Sequence, residues 1–259
     1  MTVGSEPRTT VASTVNKPPM PREHGAWGIL LIPFATAVGV TGIFDFKVAL
    51  LLASVLCFYI ARTSYLNGRL RWMGILVGVS FGCAFPLLFF RQLWWLVAFG
   101  AVGALLAFRK TERSITMQLL AVSGLTLTAP AAWYVATGAL DARAWWLWLL
   151  NLLHFAGGVF YVKMHIAAAI RRQPFENLAD RARHGAVVLA YHAGLVAVLL
   201  ALASRGVIAL WVLLAYAPMV ARAFAGVGRL EPVLRIKRLG WTEVAYSLVF
   251  AALLMATMR

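Results

Sequence analysis

Two acidic residues, Glu176 and Asp180, stand four positions apart in the segment QPFENLADRARHG. On a helix this spacing puts both carboxylates on one face, where they could share a divalent cation that bridges phosphate oxygens. The pattern therefore predicts a catalytic site in which Glu176 and Asp180 bind a divalent cation. The alternative is an interfacial helix whose acids form ion pairs with Arg172, Arg181 or Arg183.

Basic side chains gather at the ends of several apolar runs and could hold an anionic head group. The segments ARTSYLNGRLR and FRKTERSITMQ supply such groups after the second run and before the fifth. A helix start favours anions, because its free N–H groups and its dipole add to the basic side chains. The alternatives are flanking charges and an Arg62 that reaches the interface. The predicted head-group contacts are Arg22, Arg62, Asn67, Lys110, Arg113, Arg181 and Arg183.

The sixth apolar run carries a polar stripe. His154, Gly158, Tyr161 and His165 follow at steps of four, three and four residues, and Lys163 lies in the same run. Polar groups this deep in an apolar segment should face other helices rather than lipid. We predict that His154, Lys163 and His165 contact substrate, with interhelical hydrogen bonds as the alternative role.

The first apolar run opens with three ionisable residues, Arg22, Glu23 and His24, in the segment PREHGAWGILLIP. They could be a plain charged flank of a membrane helix. We interpret them as part of the rim of a binding cavity. His24 is predicted to be catalytic, because histidine can exchange a proton near neutral pH.

Composition places these residues in a membrane protein. Of the 259 residues, 62% are hydrophobic and 13% are charged, whereas a soluble domain carries about 25% charged residues. The two cysteines, Cys57 and Cys83, lie in apolar runs and show no metal-ligand spacing. Residues 1–20 are polar and without periodicity, which predicts a disordered cytoplasmic tail.

Nine apolar runs approach the length of about 20 residues that a membrane-spanning helix needs. We predict an all-α polytopic membrane protein, a single nine-helix domain over residues 21–259. Several prolines, among them Pro130, lie inside runs and are expected to kink them. The runs are 25–43, 46–66, 72–90, 93–108, 115–138, 144–166, 184–203, 206–224 and 241–257.

The basic residues predict the orientation of the chain. With the N-terminus in the cytoplasm, 19 of the 24 Lys and Arg residues fall on the cytoplasmic side, as the positive-inside rule requires. Topology thus accounts for the net charge of +15, and no nucleic-acid partner is expected. The C-terminus is predicted to lie outside.

The segments PREHGAW, ARTSYLNG and DRARHGA, together with the run of spans, resemble the YwiC-like family of bacterial membrane proteins. More distantly, PREHGAWGILLIP and FRKTERSITMQLLAVSGLTLTAPAAW are similar to segments of the UbiA-type intramembrane prenyltransferases. The second resemblance implies a UbiA-like bundle, an active site open to the cytoplasm, and Mg²⁺ held by two Asp-rich motifs. Here residues 46–92 contain no acid, so the first motif is missing, and only Glu176 and Asp180 stand at the second.

From these patterns we expect a protein of the bacterial inner membrane with a cytoplasm-facing cavity. The cavity would bind an amphipathic anion, such as a prenyl diphosphate, a quinone precursor or a membrane lipid. Three classes of function remain open: a divergent prenyl or lipid transferase, a non-catalytic lipid- or cofactor-binding assembly factor, and a small-molecule transporter.

Overall fold

The computed structural model describes residue 20 and residues 24–107, 114–171, 173–233 and 236–258. The tail predicted for residues 1–20 lies, except for Met20, outside the described part of the chain. All regular secondary structure within the described ranges is helical. The helices are α1 (His24–Thr41), α2 (Phe46–Leu66), α3 (Leu70–Phe89), α4 (Trp95–Ala107), α5 (Ile115–Thr126), α6 (Thr128–Thr137), α7 (Ala142–Arg171), α8 (Leu178–His184), α9 (Ala186–Ser204), α10 (Val212–Gly228) and α11 (Ile236–Met258).

Six helical stretches in the described part of the chain are long and apolar enough to cross a membrane: α2, α3, α5 together with α6, α7, α9 and α11. Three further apolar helices, within α1, α4 and α10, are shorter than 18 residues. The all-helical class and the membrane-like character are therefore confirmed. That all nine stretches cross the bilayer stays a prediction, as does the cytoplasmic position of the N-terminus.

Local side-chain chemistry sets several helix boundaries. Asp45 caps α2 by accepting a hydrogen bond from the backbone N–H of Val48 at 3.1 Å, and Ser114 caps α5 in the same way. Both side chains satisfy a backbone donor that has no partner inside the helix. Gly138 ends α6 with a φ of 78°, a left-handed conformation that glycine adopts without steric cost.

The fifth predicted span is interrupted near its proline. α5 ends at Thr126 and α6 begins at Thr128, because Pro130 has no N–H to donate to the carbonyl one turn earlier. The Thr128 hydroxyl donates instead to the Leu30 carbonyl of α1 at 2.9 Å. This hydrogen bond connects the start of α6 to α1 at the point where α5 ends.

The core of the bundle lies around α6, whose residues 128–136 are all buried. α1 packs against α5, α6, α7 and α11, and α10 packs against α11, α9 and α7. α2 and α3 pair closely with each other, and α2 also contacts α6. α3 and α4 expose many large apolar side chains, among them Phe81 and Trp95, which is the surface expected of helices that face lipid tails.

Candidate functional site

An arginine and a glutamate form an ion pair inside the bundle. Arg222 of α10 donates from Nη1 to Glu243 Oε1 at 2.7 Å and from Nη2 to Glu243 Oε2 at 3.2 Å. Arg222 exposes only 9% of its surface. A paired, two-point contact of this kind is what allows a charge to remain inside an apolar bundle.

Aromatic rings surround the guanidinium group. Arg222 Cζ lies 4.2 Å from the ring centroid of Tyr161 in α7 and 4.5 Å from that of Tyr246 in α11. Both contacts have cation–π geometry. Gly158 leaves room for the carboxylate, because a Cβ at that position would lie 3.0 Å from Glu243 Oε2. Three helices therefore shape the space around one ion pair.

Histidines extend this polar region toward the core. His154 Nε2 lies 3.1 Å from Ser247 Oγ, and its ring stacks on Phe250 with centroids 3.9 Å apart. His192 of α9 donates from Nδ1 to the Val188 carbonyl at 2.7 Å. Arg222 is close enough to interact electrostatically with His154, His165 and His192. We call these residues the Arg222 layer: His154, Gly158, Tyr161, His165, His192, Arg222, Glu243, Tyr246 and Ser247.

Several buried nitrogens of this layer have no hydrogen-bond partner among the described residues. They are Nδ1 of His154, Nε2 of His165, Nε2 of His192 and Nε of Arg222. Because His192 already donates from Nδ1, the Nε2 of the neutral ring is an acceptor. Buried polar groups are normally satisfied, so each of these nitrogens has the capacity for one more hydrogen bond than the described residues supply.

The residues of the Arg222 layer lie six to seventeen residues from the helix ends that adjoin α8, which corresponds to about 9–26 Å along the helix axes. Arg222 is followed by the last turns of α10, and His192 comes soon after the start of α9. α8 packs against both of these helices. By the charge distribution of the sequence, this is the end predicted to face the cytoplasm.

The predicted metal ligands are placed differently from the sequence expectation. Asp180 lies in α8, but Glu176 precedes that helix and is exposed, so the two carboxylates do not share a helix face. Arg171 binds Asp180 through contacts of 2.9 and 3.0 Å, and hydrogen bonding from its guanidinium lowers the pKa of Asp180. Asn177 caps α8.

As they stand, these two residues do not fit a divalent cation. Asp180 would have to release Arg171 before it could bind a metal, and no group of three or more His, Cys, Asp or Glu side chains suited to a metal occurs within the described ranges.

The basic residues near α8 that the sequence predicts as ligand contacts differ in their surroundings. Arg181 donates to the carbonyl of Gly228 at 2.7 Å and so binds the last residue of α10. Arg183 is exposed. Lys163 is half-buried on α7, two residues from Tyr161 and two from His165.

The predicted contacts of the first helices lie elsewhere or are not described. Arg62 is half-buried on α2, and Asn67 caps the end of α2 by donating to the Thr63 carbonyl at 2.8 Å. His24 begins α1, but its side chain lies outside the description. The predicted contacts that lie outside the described residues are Arg22, Lys110 and Arg113.

Sequence reasoning missed the central pair of the layer. In the sequence, Arg222 is one of several basic residues near the end of the eighth apolar run, and Glu243 lies at the start of the ninth. The available signal was that both charges fall inside apolar runs, where an ionisable residue usually has a function and a partner. The stripe His154, Tyr161 and His165, by contrast, was found from its helical spacing.

Comparisons with known proteins support part of the sequence interpretation. The family model of the YwiC-like proteins matches residues 20–133, which end in α6, before the Arg222 layer begins. The chain is also similar to a protein of Bacillus subtilis (strain 168) named "Uncharacterized protein YwiC", with 28% identity over 249 residues, covering 91% of this chain and 96% of the relative. No solved structure matches the chain. The predicted resemblance to the YwiC-like proteins is therefore confirmed, by the family model over residues 20–133 and by the Bacillus subtilis protein over most of the chain.

Proposed function

We propose that this protein binds an amphipathic anion within the membrane and that Arg222 holds its head group. The single observation that carries the proposal is a buried arginine whose Nε has no partner among the described residues. Glu243 occupies the two terminal nitrogens of Arg222, and the buried Nε is left as a donor to which an oxygen of an anionic head group would bind. The prenyl diphosphate, quinone precursor or lipid expected from the sequence are the candidate classes of ligand.

The surroundings of Arg222 suit an amphipathic molecule. Tyr161 and Tyr246 offer aromatic surface beside the charge, and Phe250 extends this surface behind His154. An apolar chain or ring could pack there while the anionic group stays on the guanidinium. Arg183, exposed on α8, would attract the anion to this end of the bundle.

Binding is the step that the transferase, the assembly factor and the transporter would share. The resemblance to UbiA-type enzymes adds transfer chemistry as a hypothesis, and the lack of a fitting carboxylate pair argues for an anion held directly by arginine. We therefore propose anion binding as the function of this protein.

The proposal is tested by mass spectrometry of the lipids and other small molecules that co-purify with the protein. We expect wild type to enrich one amphipathic anion over the bulk membrane. The double variant Arg222→Gln/Glu243→Gln should lose it, because the cation is gone while no single buried charge is left behind. Arg205→Gln is the matched control, since Arg205 is exposed at the C-terminal end of α9.

Arg62→Ala tests, in the same experiment, the head-group contact that the sequence predicts on α2. We expect this variant to retain the anion as wild type does, because α2 packs mainly against α3 and α6 rather than against α10 or α11. The proposed function is wrong if no anion is enriched in wild type, or if the double variant retains the same anion as Arg205→Gln.

A further inference from the structure

We propose that Glu243 is an exchangeable counter-ion: the ligand anion replaces its carboxylate on Arg222, and Glu243 takes up one proton as this happens. This inference rests on the proposed function and deepens it, because it specifies how an anion enters a site that already holds one. It also predicts that binding is coupled to protons.

The geometry of the ion pair defines what can replace the carboxylate. Glu243 presents two oxygens to the two terminal nitrogens of Arg222, at 2.7 and 3.2 Å. A head group that takes its place must offer two oxygens at similar spacing and carry one negative charge. A carboxylate or a phosphodiester meets this requirement, and either is found on amphipathic molecules.

The charge balance requires the proton. With Arg222 as a cation and Glu243 as an anion, the pair is neutral. A second anion would leave one uncompensated negative charge in a buried region, which is strongly unfavourable. If Glu243 is protonated, its new O–H bond removes that charge, and the layer again holds one cation and one anion. The proton comes from water when the ligand is already ionised, or from the ligand itself when it arrives as a neutral acid.

Two features of the Arg222 layer bear on where the carboxyl group goes. At position 158 no side chain stands against it, since a Cβ there would lie 3.0 Å from Glu243 Oε2. A protonated carboxyl can also donate a hydrogen bond, and Nε2 of His192, which has no partner among the described residues, is an acceptor elsewhere in the layer.

The other titratable groups near Glu243 come from all the helices around it. Tyr161, His154 and His165 belong to α7, and His192 to α9, while Arg222 lies on α10 and Tyr246 on α11 itself. Within Gly25–Thr41, α1 has no titratable side chain. Protonation of a histidine could also strengthen anion binding at low pH, so the test must separate Glu243 from the histidines.

The test uses the purified full chain in nanodiscs of zwitterionic phosphatidylcholine, with decanesulfonate as the probe. A sulfonate stays anionic throughout the range from about pH 5.5 to about pH 8, so the probe itself does not titrate. Calorimetry gives the affinity at each pH. We expect the affinity of wild type to rise about tenfold for each unit by which the pH falls, because one proton is taken up per anion.

Glu243→Gln removes the proton acceptor but keeps the shape of the side chain and every histidine. We expect its affinity to be independent of pH and to exceed that of wild type at about pH 8, because the competing carboxylate is gone. Glu231→Gln, an exposed acid in the loop between α10 and α11, is the control and should keep the wild-type slope. Decyltrimethylammonium, a cation with the same tail, should not compete.

The exchange is overturned if wild type binds the anion with no dependence on pH, or if Glu243→Gln keeps the slope. Either result leaves the proposed function intact, provided that Arg222→Gln/Glu243→Gln still abolishes binding. If that double variant binds the probe like wild type, the proposed function itself fails.

Discussion

Gly158 provides the space in which the carboxylate of Glu243 meets Arg222. It lies on α7 where the helix passes the carboxylate of Glu243, and an added Cβ would come within 3.0 Å of Oε2. A larger side chain must therefore push the carboxylate away from Arg222. The glycine is best understood as a space that keeps the ion pair together, rather than as a flexible point in α7.

Gly158→Val should separate Arg222 from Glu243 and lower the free energy of unfolding by about 1–3 kcal/mol, the usual cost of overpacking. Gly194→Val on α9 is the matched control, because a Cβ there has no atom of another residue within 4 Å. Thermal unfolding in detergent measures both variants. Equal midpoints for the two would contradict the tight fit around Glu243.

Two serine side chains connect α2 and α3 in the middle of their apolar contact. Ser54 donates to the Ser80 carbonyl and Ser80 to the Ser54 carbonyl, each at 2.9 Å, and their hydroxyl oxygens lie 3.0 Å apart. Both residues are buried. Such hydrogen bonds between membrane helices contribute modestly, about 0.6 kcal/mol on average.

A double-mutant cycle with Ser54→Ala and Ser80→Ala should show a coupling free energy of about 0.6 kcal/mol, at most about 1.7 kcal/mol. The coupling arises because each hydroxyl contacts the other as well as a backbone carbonyl. Reversible unfolding of the four proteins measures it. Strictly additive effects would show that the two hydroxyls do not interact.

The sequence predicts most helices well but not how they end or break. α2 has the predicted bounds of 46–66 because Asp45 and Asn67 cap it. α7 continues to Arg171, beyond the predicted end at 166, since an alanine-rich segment remains helical where the apolar run has stopped. The sequence does not predict α8, which forms a separate short helix before α9. The reason is that the apolar pattern carries no signal for a helix boundary at Gly185.

The candidate site was predictable only in part. Helical spacing alone places His154, Tyr161 and His165 on one face of α7. This part of the site can therefore be predicted without knowing which helices pack against α7. The partner of Arg222 could not be inferred, because Glu243 lies 21 residues away on another helix and only packing brings the two together. In the same way, the spacing of Glu176 and Asp180 suggested a shared helix face, but Asn177 starts α8 after Glu176.

The distribution of basic residues along the chain predicts which end of the bundle faces the cytoplasm. α8 and the loop that follows α10 would lie inside, and the loop that follows α9 outside. The Arg222 layer would then be reached from the cytoplasm. Anions bound there would come from the cytoplasm or from the inner leaflet.

Cysteine labelling tests this orientation. In a Cys57→Ser/Cys83→Ser background, a membrane-impermeant maleimide added to intact cells should label Arg205→Cys but not Arg183→Cys. Both positions are exposed, so access should depend only on the side of the membrane. After permeabilisation both should react. Labelling of Arg183→Cys in intact cells would reverse the predicted orientation.

Infrared difference spectroscopy tests most directly whether an anion binds Arg222 in place of Glu243. When decanesulfonate is added to wild type in nanodiscs, we expect the absorption band of a protonated carboxylic acid to grow and the matching carboxylate bands to decrease. Glu243→Gln should lack this change, while Glu231→Gln should retain it. Saturation of wild type with the anion but no new carboxylic acid band, or the same band in Glu243→Gln, would contradict the exchange at Arg222.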